Sequence, residues 1–126
     1  MGQTMNILLV DDHADTSRAL KRLLERMGYQ VQIADSVSSA LEASESNPVD
    51  IVISDIGLPD GSGLDLMREI LQRHEEVKGV ALSGFGLDED IRRSKEAGFV
   101  EHITKPVDFV TLESILARLK SDDTIA

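Results

Sequence analysis

Short apolar segments alternate with segments of helical periodicity along nearly the whole chain, and this alternation limits the possible folds more than any other feature. The apolar segments have the length of buried strands: Met5–Val10, Tyr29–Ala34, Val49–Ser54, Val77–Leu82 and Val100–Thr104. Between them, apolar residues recur at intervals of three and four, as at Leu20, Leu23, Leu24 and Met27. Strict alternation implies a mostly parallel sheet with helices on both faces and right-handed crossovers.

Five strand–helix units are too few for an eight-unit barrel. We therefore predict an α/β protein with an open, flavodoxin-like, doubly wound (βα)5 fold and a five-stranded parallel sheet in the order 2-1-3-4-5. Ser36 and Asp108 are predicted helix N-caps, and Gly28 and Gly98 are predicted to end helices in a left-handed conformation. Ligands of such a sheet bind beyond the carboxyl ends of its strands.

The 126 residues fit one domain of ordinary size. We predict that this domain covers residues 5–120. Residues 1–4 are interpreted as a leader or an expression remnant, and residues 121–126 as a frayed tail.

The composition excludes several classes of protein. The formal net charge is −10, which argues against nucleic-acid binding by this domain because phosphate contacts need clustered Lys and Arg. There is no cysteine, so disulfides and thiolate metal sites are excluded. No signal peptide and no apolar run of membrane-spanning length is present, and we expect a cytoplasmic domain without membrane contact.

Polar residues lie at the carboxyl ends of the predicted strands, where the following loops begin. Asp11 and Asp12 follow the first strand, Asp55 the third, Ser83 the fourth and Lys105 the fifth. Strands one and three are neighbours in the predicted order, which brings three carboxylates into one crevice. Taken singly, Asp12 could be only an N-cap, Ser83 a loop hydroxyl and Lys105 a surface charge. The whole set, in this order along the chain, indicates a functional site far more specifically than any one of its members does.

Three close carboxylates repel one another, and a hard divalent cation with oxygen ligands relieves that repulsion. Mg²⁺ suits the site, since it takes one or two carboxylates, several waters and a phosphate oxygen. We expect Asp12 and Asp55 to bind it directly and Asp11 through a water. The carbonyl of Gly57 is a further candidate ligand.

Lys105 and Ser83 would add a positive charge and a hydroxyl donor around a phosphoryl group attached to Asp55. Phosphoryl transfer depends mainly on positioning and on neutralisation of charge. A carboxylate nucleophile that forms an aspartyl phosphate is an established form of covalent catalysis.

With this set of residues, the chain resembles the receiver domain of bacterial two-component response regulators over roughly Met5 to Leu119. The resemblance implies that Asp55 is the phospho-acceptor, that Asp11, Asp12 and Asp55 surround magnesium, and that the phosphoryl donor is a phosphohistidine on a histidine kinase or a phosphotransfer protein. It also implies a cis bond between Lys105 and Pro106. The matching segments are Leu9–Asp12, Ser54–Gly63, Ala81–Gly84 and Thr104–Pro106.

Two positions depart from the family pattern or vary within it. His102 stands where the family usually has Tyr or Phe, an aromatic residue that swings inward as the Ser83 hydroxyl moves to the phosphoryl group. His102 either switches in the same way or stays outside as a solvated strand residue. Gly57 and Phe85 occupy positions that tune autodephosphorylation in the family.

We expect phosphorylation to draw in Ser83 and to shift the fourth helix, whose only main apolar residues are Leu87 and Ile91.

A magnesium-dependent phosphatase with an aspartyl-phosphate intermediate and a flavin-binding module are the alternative functions. The chain would be a signalling domain that assists its own phosphorylation rather than an enzyme. A stand-alone regulator, a part of a DNA-binding regulator, the receiver of a hybrid histidine kinase, and a homodimer through the fourth helix, fifth strand and fifth helix all remain open.

Overall fold

The computed structural model describes residues 5–84 and 88–125, with side chains of the last helix as far as Lys120. The strands are β1 (Asn6–Val10), β2 (Gln30–Ala34), β3 (Ile51–Asp55), β4 (Gly57–Leu58), β5 (Gly61–Ser62), β6 (Lys78–Ser83) and β7 (Phe99–Thr104). The helices are α1 (Ala14–Arg26), α2 (Val37–Ser46), α3 (Gly63–Arg73), α4 (Asp88–Ala97) and α5 (Phe109–Ile125).

The five long strands form one parallel sheet in the order β2-β1-β3-β6-β7. Because β6 and β7 are the fourth and fifth long strands of the chain, this is the predicted order 2-1-3-4-5, and the predicted fold is confirmed. The register between β1 and β3 pairs Val10 with Ser54, so both strands end at the same level. The residues that follow Val10 and Ser54 therefore emerge side by side at one edge of the sheet.

The core lies in two layers because side chains of a strand alternate between the faces of the sheet. Ile7 and Leu9 of β1 join the layer that contains α1 and α5 residues, such as Leu24. Leu8 and Val10 point to the opposite layer, which contains residues of α2 and α3. Burial on both faces explains why β1 has a continuous apolar sequence instead of an alternating one.

The predicted helix ends are confirmed. Ser36 caps α2, where its hydroxyl accepts a hydrogen bond from the Ser39 N–H in a reciprocal capping box. Asp108 accepts a hydrogen bond from the Val110 N–H at the start of α5. Gly28 and Gly98 follow their helices with φ of 100° and 111°, a region that L side chains rarely adopt.

Three details differ from the predictions. The loop after Asp55 contains the small antiparallel hairpin β4–β5, whose two-residue strands are too short to leave a periodic pattern in the sequence. The segment predicted as a frayed tail is helical as far as Ile125, because an apolar pattern records the packed part of a helix and not its full length. Phe99 belongs to β7 and is buried.

Gly63 allows α3 to begin directly against the end of β3. A Cβ atom at this position would clash with the backbone carbonyl oxygen of Asp55. Replacing Gly63 with Ala is therefore expected to destabilise the protein by about 2–3 kcal/mol and to displace the end of β3. Thermal unfolding measures the loss. The control is Gly57→Ala, since a Cβ there meets nothing within 4 Å and should change stability by less than about 0.5 kcal/mol. Equal stability of the two variants would contradict the close approach.

Candidate functional site

Four potential ligand groups meet at the carboxyl edge of the sheet. Asp11 and Asp12 follow β1, and Asp55 is the last residue of β3. With His13, each offers one ligand atom, and these four atoms lie within 4.8 Å of one another. The structure therefore brings together the three carboxylates that the strand order predicted, and it adds a histidine that the sequence analysis did not single out.

The three carboxylates differ in their exposure to solvent. The side chains of Asp11 and Asp55 are 1% and 5% exposed, whereas that of Asp12 is 41% exposed. Asp12 and Asp55 border a cleft of about 390 Å³ that also reaches Ser83 and Gly57, and Asp11 lies beside them without lining it. The cleft thus has one buried acid, Asp55, and one solvent-exposed acid, Asp12, in its lining.

Lys105 supplies the positive charge opposite these acids. Its Nζ lies 2.5 Å from Asp55 Oδ1 and 3.9 Å from Asp11 Oδ2. Its backbone N–H donates to the Ser83 carbonyl over 2.7 Å, which ties the end of β7 to the end of β6. The bond between Lys105 and Pro106 is cis, as the resemblance implied.

His13 contacts both members of the acidic pair. Its Nδ1 is 3.1 Å from Asp11 Oδ1 and 3.2 Å from Asp12 Oδ1. Its backbone N–H donates to Asp11 Oδ1 over 2.8 Å. The only sequence signal for this residue was its position next to the acidic pair.

Burial and neighbouring charges shift the pKa values of the two buried acids in opposite directions. Burial raises the pKa of Asp55 to about 6, and the neighbouring Asp11 raises it as well. The hydrogen bond from Lys105 acts in the opposite direction and lowers it. Burial also acts to raise the pKa of Asp11, but hydrogen bonds with His13 and Asp55, together with the positive charge of Lys105, hold it below its usual value. In the absence of a metal ion, Asp55 is therefore the acid of the pair that takes up a proton first.

Ser83 and His102 form a pair at the side of the cleft. Ser83 is buried at the end of β6, and its Oγ lies 2.8 Å from His102 Nε2. His102 is half-buried on β7, where burial lowers its pKa against the opposing effect of Asp90. Gly84 is exposed, and the predicted roles of Phe85 and Leu87 lie outside the described residues.

Comparison with known protein families identifies the family to which this fold belongs. The family described as response regulator receiver domain matches residues 7–117. The chain belongs to this receiver domain family. Receiver domains are signalling domains of two-component systems, and the acidic edge of the sheet is the place where they generally bind Mg²⁺.

Relatives of this receiver domain occur in proteins of different architecture. It is 36% identical to the response regulator protein PilR of Pseudomonas aeruginosa over 87% of this chain and 25% of PilR. It is 34% identical to the sensor histidine kinase RcsC of Salmonella typhimurium over 90% of this chain and 12% of RcsC. The chain thus spans a quarter or less of the length of these two relatives.

A solved structure shares both the fold and part of the sequence. It is a response regulator protein from Burkholderia pseudomallei with a phosphorylated aspartic acid, a calcium ion and citrate. The TM-score is 0.82 and the identity 27%, over 96% of this chain and 71% of that one.

In the part of the receiver domain that the structure describes, no helix combines the length and the apolar character needed to cross a membrane.

The residues of this receiver domain fit the magnesium ion that its family implies. Asp11 Oδ2 is buried and has no hydrogen-bond partner among the described residues, and such an oxygen needs a cation or a proton. Carboxylate oxygens are the ligands that Mg²⁺ prefers. Asp11, Asp12 and Asp55 would hold the ion, and Gly57 lines the cleft beside Asp12 and Asp55.

Magnesium affinity is expected to fall as the pH drops through about 6. Burial raises the pKa of Asp55 to about 6, and a proton on this carboxyl competes with the metal ion. Below that pH the dissociation constant should rise by up to about tenfold per pH unit. Calorimetric titration with MgCl₂ at a series of pH values measures the change, and Asp55→Asn should flatten it. An affinity that does not change between about pH 5 and pH 7 would contradict the assignment.

Proposed function

We propose that this receiver domain accepts a phosphoryl group from a phosphohistidine onto Asp55 with the help of Mg²⁺ and then signals by a change of conformation. The observation that carries the proposal is the position of the Asp55 carboxyl. It is buried at the end of β3, in contact with the Lys105 ammonium and beside the other acids. Of the two buried carboxylates among the described residues, Asp55 is the one within hydrogen-bonding distance of Lys105, since Asp11 lies 3.9 Å from it.

In the transfer step, an Asp55 oxygen forms a bond to phosphorus while the bond from phosphorus to the donor nitrogen breaks. The electron pair of the broken bond stays on the imidazole nitrogen, which takes up a proton. Asp55 must be ionised to attack, and the Lys105 ammonium favours that form. Mg²⁺, when bound, neutralises negative charge on the phosphoryl oxygens.

In the switching step, the phosphoryl group on Asp55 offers new acceptor oxygens for the Ser83 hydroxyl. Ser83 would turn toward them and give up its hydrogen bond with His102. The movement would pass along the segment after β6 to α4, of which only Ser94 and Ala97 are fully buried. Such sparse packing suits an element that shifts at low cost. This makes Ser83 and His102 the proposed switch residues.

The donor is a histidine kinase or a histidine phosphotransfer protein, and the domain covers residues 5–120 and acts in the cytoplasm. The phosphorylated aspartic acid in the Burkholderia structure supports the choice of a carboxylate acceptor. The matches to PilR and RcsC support both a response regulator and a receiver within a histidine kinase as the parent protein.

The test is phosphorylation of the purified chain with acetyl phosphate. We expect the mass of one phosphoryl group to be added in the presence of Mg²⁺, with less than about a tenth of that labelling when EDTA is present. Reduction of the acyl phosphate with borohydride followed by peptide sequencing should identify Asp55. Sustained hydrolysis of small phosphate esters over many turnovers would instead favour the phosphatase. Labelling at a residue outside the cleft would refute the proposal.

A further inference from the structure

We propose that His13 is an additional metal ligand, and that it makes the acidic cleft a binding site for late first-row divalent ions such as Ni²⁺ and Zn²⁺ as well as for Mg²⁺. The inference rests on the proposed metal site and adds to it a nitrogen ligand with its own selectivity. Four observations support it.

The first observation is the orientation of the His13 side chain. His13 occupies the N-cap position of α1, yet its side chain makes no capping hydrogen bond. The ring turns toward the acids instead, and Nδ1 lies 3.1 Å from Asp11 Oδ1 and 3.2 Å from Asp12 Oδ1. One ring nitrogen is thus directed at two carboxylate oxygens from neighbouring residues.

The second observation is the spacing of the ligand atoms. Around a six-coordinate ion with bonds of about 2.1 Å, adjacent ligands are about 3 Å apart and opposite ligands about 4.2 Å apart. The separations of His13 Nδ1 from the two oxygens match the adjacent distance. One atom each from Asp11, Asp12, His13 and Asp55 lie within 4.8 Å of one another, a limit little above the opposite distance. Small side-chain movements would close this set on an ion.

The third observation concerns Asp11 Oδ2. Asp11 is 2% exposed, and this oxygen has no hydrogen-bond partner among the residues that the structure describes. Lys105 Nζ, at 3.9 Å, is too far away to donate a hydrogen bond to it. A buried carboxylate oxygen without a donor needs a cation or a proton beside it, and this need does not depend on the histidine.

The fourth observation is the chemistry of the donor set. A site of carboxylate and water oxygens suits Mg²⁺, whereas an imidazole nitrogen favours Zn²⁺, Ni²⁺ and Cu²⁺. Late first-row ions also bind more tightly in general, following the Irving–Williams order. Losing His13 should therefore weaken Ni²⁺ binding strongly and leave Mg²⁺ binding nearly unchanged, because Mg²⁺ gains little from a nitrogen ligand.

The chain offers a matched control in His74. His74 Nε2 lies 2.8 Å from Glu45 Oε2 at the C-terminal end of α3, and His74 does not line the cleft. It is another histidine next to a carboxylate, but it is not part of the group of ligand atoms around Asp11. His74→Gln therefore measures how much Ni²⁺ binds at an ordinary surface histidine.

The test is calorimetric titration of the wild-type chain, His13→Gln and His74→Gln with NiCl₂ and with MgCl₂, buffered above neutrality. We expect His13→Gln to lower Ni²⁺ affinity by about 10–100-fold and Mg²⁺ affinity by less than about twofold. His74→Gln should match the wild type. With Zn²⁺ as a diamagnetic probe, the ¹⁵N resonance of His13 Nδ1 should shift as expected for a metal-bound nitrogen. Since the side chain of His13 is 69% exposed, its replacement should leave the thermal unfolding midpoint nearly unchanged.

The inference is overturned if His13→Gln binds Ni²⁺ as tightly as the wild type or more tightly, because His13 would then act only as a hydrogen-bond donor or a competing cation. It is also overturned if His74→Gln accounts for the loss of Ni²⁺ binding. If Mg²⁺ still binds in either case, the proposed function is unaffected. If the wild type binds neither ion, the proposed metal site fails together with the inference.

Discussion

Asp55→Asn is expected to abolish phosphorylation by acetyl phosphate and, at the same time, to make the metal-free domain more stable above pH 7. The first effect follows because an amide cannot form the acyl phosphate. The second follows from the pKa of Asp55, which burial raises to about 6 from an unfolded value near 3.8. The combination of lost labelling and gained stability separates a chemical role from general damage to the fold.

The sign of the stability change follows from proton linkage. Between about pH 4 and pH 6 the folded protein holds a proton on Asp55 that the unfolded chain releases, so its stability falls as the pH rises through this range. Above pH 6 the ionised, buried carboxylate lowers stability by up to about 3 kcal/mol. Asparagine cannot ionise and removes this cost. A gain of about 2 kcal/mol is expected at pH 7.5, together with a loss of the pH dependence.

Two measurements test the prediction. Intact-protein mass spectrometry after incubation with acetyl phosphate and Mg²⁺ reports the phosphoryl group, and urea denaturation with EDTA present reports the free energy of unfolding. Asp65→Asn is the matched control. Asp65 is 76% exposed at the start of α3, so this variant should label fully and change stability by less than about 0.5 kcal/mol. Residual labelling of Asp55→Asn, or a variant less stable than the wild type at pH 7.5, would contradict the assignment.

The parts of the site that the sequence predicted are those fixed by strand alternation. Asp11, Asp55 and Lys105 each follow or end a strand of the parallel sheet. Once the strand order is known, the neighbouring positions of β1 and β3 bring the first two of these residues together. Periodicity sets the strand ends to within a residue or two, and that precision is enough when the functional residues stand directly at those ends.

The features of the site and the fold that the sequence did not predict depend on side-chain orientation and on contacts between segments distant in sequence. Nothing in the sequence distinguishes a solvent-facing residue at the N-terminus of α1 from one that turns back, as His13 does. The Asp60 carboxylate accepts hydrogen bonds from the Val37 and Ser38 N–H groups of α2, a contact between residues more than twenty positions apart. For His102, the alternatives of a switching and a solvated residue stayed open, and the structure places its ring against Ser83.

Lys105→Met is expected to slow phosphorylation by about 100- to 1,000-fold and to destabilise the metal-free domain. Lys105 is in contact with Asp55 and lies 3.9 Å from Asp11. Loss of one preorganised positive group at a site of developing negative charge costs about this much in rate. Without the ammonium, the two buried acids lose their counter-charge, which should raise the pKa of Asp55 further and lower stability at neutral pH by about 1–3 kcal/mol.

The pH dependence of the Lys105→Met variant tests the cause of its instability. Lowering the pH through about 6 protonates Asp55, so most of the lost stability should return. Thermal unfolding from about pH 5 to pH 8 measures the recovery, and the rate of acetyl phosphate labelling measures the catalytic loss. Lys95→Met is the control, since Lys95 is exposed in the last turn of α4 and should show neither effect. A Lys105→Met variant with wild-type labelling, or one whose stability deficit does not shrink at low pH, would show that Lys105 acts otherwise than as the counter-charge of Asp55.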